Sequence, residues 1–162
     1  EDQFHNFSFT LHLGDARQVV QRLEGSFDYI LHDAFSPKKC PELWTVDFFK
    51  HLYRLMSNHG ILLTYSSSYA VKGGLQEAGF VLGNTTPVGR RAPGTIAAKQ
   101  NDPRLNEMTD LDKKLIKSTA GIAFYDPTLI GSKEEILARR EEMQKSSGRV
   151  SSSRVRKHFQ KN

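Results

Sequence analysis

The sequence predicts an α/β fold, on three observations. Apolar runs and amphipathic stretches alternate strictly over the first half of the chain, the order expected of strand–helix–strand units with right-handed crossovers. One run, "ILLTYSS" at 61–67, is continuously apolar at its start, as in strands buried on both faces of a parallel sheet. Two acids, Asp15 and Asp33, directly follow apolar runs, where open α/β sheets gather their ligands.

The elements follow in order. "FSFTLHLG" at 7–14 alternates Phe7, Phe9, Leu11 and Leu13 with smaller or polar residues and reads as a strand ending at Gly14. "DARQVVQRLEG" spaces Val19, Val20 and Leu23 as a helix, with Gly25 as its C-cap. "FDYILHDAF" is a second strand. "TVDFFKHLYRLMSNHG" is the strongest helix: Thr45 caps it, Phe48, Phe49, Leu52, Leu55 and Met56 share a face, and Asn58, His59 and Gly60 end it. After the strand at 61–67, "SYAVKGGLQEAG" reads as a helix weakened by Gly73 and Gly74, and "FVLGNTTPVG" and "GTIAAK" as a closing pair of short strands. Residues 103–125 are polar and irregular, with a short helix around 111–118. Ser132 and Glu135 form a capping box ahead of a surface helix at 133–145, supported by i,i+4 pairs Glu135/Arg139 and Glu141/Lys145. This divides the chain into a main unit at 1–99, an irregular extension at 100–131, and a capped helix with a basic, Ser-rich tail at 132–162.

The 162 residues suit one domain with a real core. No apolar run approaches the roughly 20 residues of a membrane span, and no basic-then-apolar leader is present, so a cytoplasmic protein without membrane contact is expected. The single Cys40 excludes an internal disulfide and a multi-cysteine zinc site; the six histidines show no ligand spacing, and no metal is expected. The formal charge of +5 is uneven. Residues 1–131 hold 14 basic and 14 acidic side chains, whereas residues 132–162 hold 9 basic and 4 acidic, and no acid follows Lys145. Such a tail reads as mobile, and either solubilises the chain or contacts a phosphate backbone.

Among candidate site residues, Asp15 either caps the following helix or accepts a hydrogen bond from an adenine amine. Asp33 ends an apolar strand, and Phe35, Ser36 and Pro37 then lead the chain out of the sheet, with Ser36 held extended by the proline. A carboxylate and a backbone carbonyl at such a point can accept both hydrogens of a primary amine and aim its lone pair at an electrophile. Phe35 can stack on a base. Asp28 is read as a surface acid, His32 as packing, and Trp44 as a loop anchor. Tyr65 stands where it can reach the pocket, and Gly89, Arg90 and Arg91 form a candidate phosphate-contacting turn.

Four blocks, "LHLGDARQVVQRL", "FDYILHDAFSPKKCPELW", "HGILLTYSSSYAVKGGLQEAGF" and "VGRRAPGTIA", resemble in order and spacing the MnmC-like tRNA methyltransferases over roughly residues 9–98. The resemblance implies a class I, Rossmann-like S-adenosylmethionine (SAM) methyltransferase sheet and methylation of the aminomethyl group on a modified wobble uridine of tRNA. It implies that Gly14, Asp15 and Ala16 contact the adenine side of SAM. Asp33 and Phe35 would lie where methyl donor and amine meet, with Ser36, Pro37, Tyr65, Arg90 and Arg91 toward the RNA. Many relatives carry a second, FAD-dependent oxidase domain; without a dinucleotide fingerprint, this chain is similar to the stand-alone type.

Two departures stand out. Cys40 occupies the place of an Asn in the family pattern. The family's fold also opens with a strand, a Gly-rich turn and a second strand ending in an acid, and no G-x-G occurs upstream of Gly14. The sheet is therefore expected to lack its first two strands, and the SAM site to be completed by an upstream segment or a second chain, unless SAM binding has been lost. Two other function classes stay open: a non-catalytic RNA-binding or assembly module on the same sheet, and a methyltransferase acting on another amine.

Overall fold

A computed structural model describes residues 8–87, 89 and 92–160. Four strands form a mixed sheet in the order β1-β2-β4-β3: β1 (Phe27–His32), β2 (Met56–Thr64), β3 (Val81–Asn84) and β4 (Thr95–Ala98). β1 and β2 run parallel, with Tyr29 opposite Ile61 and Leu31 opposite Leu63. β4 inserts antiparallel between β2 and β3, so the expected closing pair does close the sheet. Helices α1 (Ala16–Arg22), α2 (Val46–Leu55), α3 (Tyr69–Glu77), α4 (Asp110–Ile116), α5 (Lys133–Ser146) and α6 (Ser152–Phe159) complete the chain.

The α2 stripe read from sequence becomes the centre of the core. Phe48, Phe49, Leu52 and Leu55 are buried with Trp44, Val71, Leu75 and Leu62 on one face of the sheet. Fully burying each such side chain contributes about 1.5–3 kcal/mol, which holds α2 and α3 against β2. Thr45 caps α2 by accepting from the Phe48 amide at 3.2 Å. The opposite face carries a smaller cluster of Ile61, Ile96 and Ala98 under Leu63 and Leu105. On that face β1 is bare: Tyr29 and Leu31 are 65% and 74% exposed.

Several expectations need correction. The described part of 7–14 forms no strand, and Phe9, Leu11 and Leu13 are exposed; alternation supplies a strand's pattern but not a neighbour to pair with. Gly25 does not cap α1, which ends at Arg22 with Leu23 as C-cap and its amide returned to the Val19 carbonyl. α2 stops at Leu55, and Met56 through Gly60 already belong to β2. There a Cβ on Gly60 would collide with the Met56 side chain and crowd the Phe27 carbonyl, which favours glycine. Ser36 starts a turn, its carbonyl accepting from the Lys39 and Cys40 amides at 2.8 and 3.0 Å, and not an extended arm. The short 3₁₀ segment Pro41–Trp44 follows.

The capping box of α5 forms as read, with Ser132 and Glu135 bonded reciprocally, and Glu141 pairs with Lys145 at 2.7 Å. Glu135 does not pair with Arg139, whose guanidinium instead donates to the Tyr125 carbonyl at 2.8 Å. The Ser-rich tail is not structureless: residues 152–159 are helical, N-capped by Ser151. Among the described residues no helix is long and apolar enough to cross a membrane.

Candidate active site

The carboxyl ends of β1 and β2 open into a cleft of about 560 Å³ lined by Leu31, His32, Asp33, Leu63, Thr64, Tyr65, Thr85, Thr86 and Gly94. Its floor follows from the register: His32 lies opposite Thr64, and Thr64 opposite Thr95. The β3–β4 connection brings Thr85, Thr86 and Gly94 to the rim. A Cβ on Gly94 would collide with the Thr64 carbonyl, so a glycine there keeps the rim open.

Asp33 is exposed at the mouth. Of the described aspartates it alone makes no hydrogen bond or ion pair with another described residue; Asp15, Asp28, Asp47, Asp102, Asp110, Asp112 and Asp126 all have partners. The loop that follows is clamped from beneath. The Tyr65 hydroxyl donates to the Ala34 carbonyl at 2.8 Å, and the Trp44 indole N–H donates to the Phe35 carbonyl at 2.7 Å. The two clamping rings meet edge-on with centroids 6.1 Å apart. Main-chain fixation of this kind leaves the Phe35 ring free, and it is 76% exposed. Trp44, fully buried, is thus the loop anchor its residue type suggests, and its indole N–H is the group that holds the loop.

His32 is packed against Trp44 with ring centroids 4.4 Å apart, and against Phe48 and Phe49. Burial pushes its pKa down to about 4, against the opposing pull of the Leu43 backbone and the Asp33 charge. The imidazole is therefore neutral, and its Nε2 has no hydrogen-bond partner among the described residues. Since the unfolded chain binds this proton near 6.5 and the folded chain only near 4, the associated stability is complete above pH 6.5 and is lost as pH falls through that window. About 2 kcal/mol should be gone by pH 5. The check is the urea midpoint at pH 7 and pH 5: His32→Phe, which keeps a ring in the same space, should flatten most of that dependence.

The other expected site residues are distributed differently. Asp15 N-caps α1, accepting from the Arg17 amide at 2.9 Å, and chelates the Arg17 side chain through Nε and Nη2. The Arg17 hydrogen bond holds its carboxyl below the usual carboxylate range. Gly14, with φ +135°, Asp15 and Ala16 stand outside the residues that line the cleft, as do Phe35, Ser36 and Pro37. Arg90 and Arg91 lie outside the described residues. Thr85, Thr86 and Gly94 were not anticipated, because the placement of β4 between β2 and β3 cannot be read from local pattern.

The cleft is mixed in character: Leu31 and Leu63 are apolar, the threonines supply hydroxyls, and the rim is kept clear at Gly94. No Gly-rich turn for the amino acid end is found in the sequence.

Comparison with known proteins places the chain in a family. Residues 2–100 match the model of a family described as S-adenosyl-L-methionine-dependent methyltransferase. An uncharacterized protein of Methanocaldococcus jannaschii is 35% identical over 136 residues, covering 83% of this chain and 38% of that protein. The tRNA 5-methylaminomethyl-2-thiouridine biosynthesis bifunctional protein MnmC of Ralstonia nicotianae is 40% identical over 91 residues, covering 56% of the chain and 14% of that protein. The crystal structure of MnmC2 from Aquifex aeolicus superposes with a TM-score of 0.79 at 32% identity, over 89% of this chain and 47% of that one. The chain thus spans less than half the length of each of these relatives.

Proposed function

Because the chain belongs to the S-adenosyl-L-methionine-dependent methyltransferase family, and to its MnmC-like members, we propose that it N-methylates the aminomethyl group of a modified wobble uridine in tRNA. The observation that carries this reading is the unpartnered Asp33 carboxylate at the mouth of the cleft.

SAM, when bound, supplies an electrophilic methyl group. Everything else is positioning by this chain. Asp33 would accept an N–H of the substrate amine, aim the nitrogen lone pair into the cleft, and receive the proton released as the N–C bond forms and the donor's S–C bond breaks to leave S-adenosylhomocysteine. Tyr65 and Trp44 hold the Asp33–Phe35 main chain still, so the acceptor does not have to be ordered at the moment of reaction. Phe35 offers its exposed ring to the base, while Leu31 and Leu63 give the cleft an apolar wall. Gly14, Asp15 and Ala16 are assigned to the adenine side, where the Asp15 side chain is 42% exposed beside Arg17. Ser36, Pro37, Arg90 and Arg91 are assigned to the RNA. In this division residues 1–99 form the methyltransferase unit, with the extension at 100–131 and the basic C-terminal part at 132–162 packed beside it. A tRNA substrate places the reaction in the cytoplasm.

β1 is an edge strand with no partner on its open side among the described residues, which supports completion of the sheet and of the SAM site by further strands, whether upstream or on a second chain. Calorimetric titration with S-adenosylhomocysteine, followed by methyl transfer to bulk tRNA lacking the modification, tests the reading. Saturable binding with transfer to that tRNA supports it. Transfer only to another amine substrate overturns it.

A further inference from the structure

Helix α6 and the turn that precedes it carry a strongly uneven charge. From Met143 to Gln160 there is no acid, and Arg149, Arg154, Arg156, Lys157 and His158 fall within ten residues. All five are exposed, and none of the arginines and lysines forms an ion pair with another described residue. A stretch with no buried residue in its helix has no core of its own to hold it. Its placement is set instead by contacts to α3 and α4. Lys114 of α4 sits over the Phe159 ring at 4.6 Å, the Thr119 amide donates to the Val150 carbonyl at 3.0 Å, and the Arg156 guanidinium lies over the Tyr69 ring at 5.9 Å.

Tyr69 ties that position to the cleft. It opens α3, four residues after Tyr65, and its hydroxyl donates to Asp112 Oδ1 at 3.1 Å. The Asn84 amide donates to Oδ2 of the same carboxylate at 3.1 Å, and Thr85 and Thr86 of the cleft rim follow Asn84 directly. The buried Lys72 ammonium completes the cluster, 2.7 Å from Asn84 Oδ1. A polar network with each member bonded thus fixes α6 at the end of the sheet where the cleft opens.

We propose that α6 is a phosphate-binding rail on the flank of the cleft, along which the RNA backbone lies while the modified base enters. This rests on the tRNA reading above and adds to it the surface that holds the strand. A merely solubilising helix would have no need of a fixed place beside the cleft, whereas a rail of unpaired cations must stand at a set distance from the reacting base.

The test is the triple variant Arg149→Gln, Arg154→Gln, Lys157→Gln in the full-length protein. Arg156 is left in place because it contacts Tyr69. Fluorescence anisotropy of labelled tRNA is read over a series of potassium chloride concentrations. Each lost phosphate contact should lower the log–log salt slope by about 0.7–0.9, so the triple variant should lose about 2 units of slope and bind about tenfold or more weakly. The charge-retaining set Arg149→Lys, Arg154→Lys, Lys157→Arg should keep the wild-type slope, and an unchanged thermal unfolding curve shows that the helix stays folded. An unchanged slope in the Gln variant, or a wild-type protein whose tRNA affinity is insensitive to salt, overturns the proposal. Failure of the methyl-transfer reading is separate: it would appear as salt-dependent tRNA binding without transfer.

Discussion

Replacing Asp33 with alanine is expected to lower methyl transfer by about 10²–10⁴-fold while changing RNA affinity little. The size of the loss follows from the two tasks given to one carboxylate. It orients an amine that would otherwise turn freely, and it takes up a proton that would otherwise stay on the product nitrogen. Neither task contributes to holding RNA, because Asp33 is a single negative charge facing a polyanion and makes no contact that supports the fold. Its removal should even relieve a small repulsion. Asp33→Asn separates the tasks. The amide oxygen can still accept an N–H, so part of the orientation survives, but the proton has no anionic receiver, and the rate should fall with KM nearly constant. A single-turnover assay with saturating donor reads the chemical step directly. If Asp33→Ala transferred methyl groups at the wild-type rate, the acceptor would have to be sought elsewhere on the rim, and Thr64, Thr85 and Thr86 supply only hydroxyls. If it lost RNA affinity in parallel with rate, Asp33 would be a binding residue or a structural one.

How far the sequence speaks depends on whether a signal is local. The face of α2, its cap at Thr45, the capping box at Ser132 and Glu135, and the acid at the end of β1 are all set by neighbours within a turn or two, and each appears where the pattern puts it. Strand pairing is not local. The alternation at 7–14 is as clear as that of β1, yet among the described residues it has no neighbour to pair with and stays irregular. The insertion of β4 between β2 and β3 is invisible for the same reason, and with it the rim residues Thr85, Thr86 and Gly94. The loop after Asp33 shows the limit within one motif. Its acid and ring were legible from residue type, while the clamps from Trp44 and Tyr65 depend on where two remote segments come to rest. The tail was misread by composition: its serines and cations cannot form a core, but they can form a helix on a surface prepared by Tyr69, Lys114 and Thr119.

The same dependence on remote partners makes Asp126 the position whose loss should most damage the fold. Its side chain is 1% exposed and accepts from Arg17 Nη1 at 2.8 Å, from the Gly131 amide at 3.0 Å and from the Thr128 hydroxyl at 3.2 Å. Its own amide donates to Asp47 at 2.8 Å. The carboxylate therefore joins α1 to the turn that launches α5, across 109 residues of chain to Arg17, while the amide of the same residue ties that turn to the start of α2. In that turn Leu129 adopts φ +55°, a conformation unfavourable for a branched side chain, which the Asp126 contacts help to impose. Removing one partner of a buried pair costs about 3–5 kcal/mol, since the charge left behind loses its counter-ion. Arg17 keeps Asp15, so the lower end applies, and Asp126→Ala should cost about 3 kcal/mol. Urea unfolding would read this as a lower midpoint at unchanged slope. Asp15→Ala is the comparison: it removes the more exposed half of the Arg17 bridge and a helix cap, and should cost about 1 kcal/mol. Equal losses from the two variants would mean that Arg17 is held as one unit and that burial of Asp126 adds nothing. A loss at Asp126 several times that at Asp15 would show that the interior pair, and not the cap, fixes α1 against the C-terminal half of the chain.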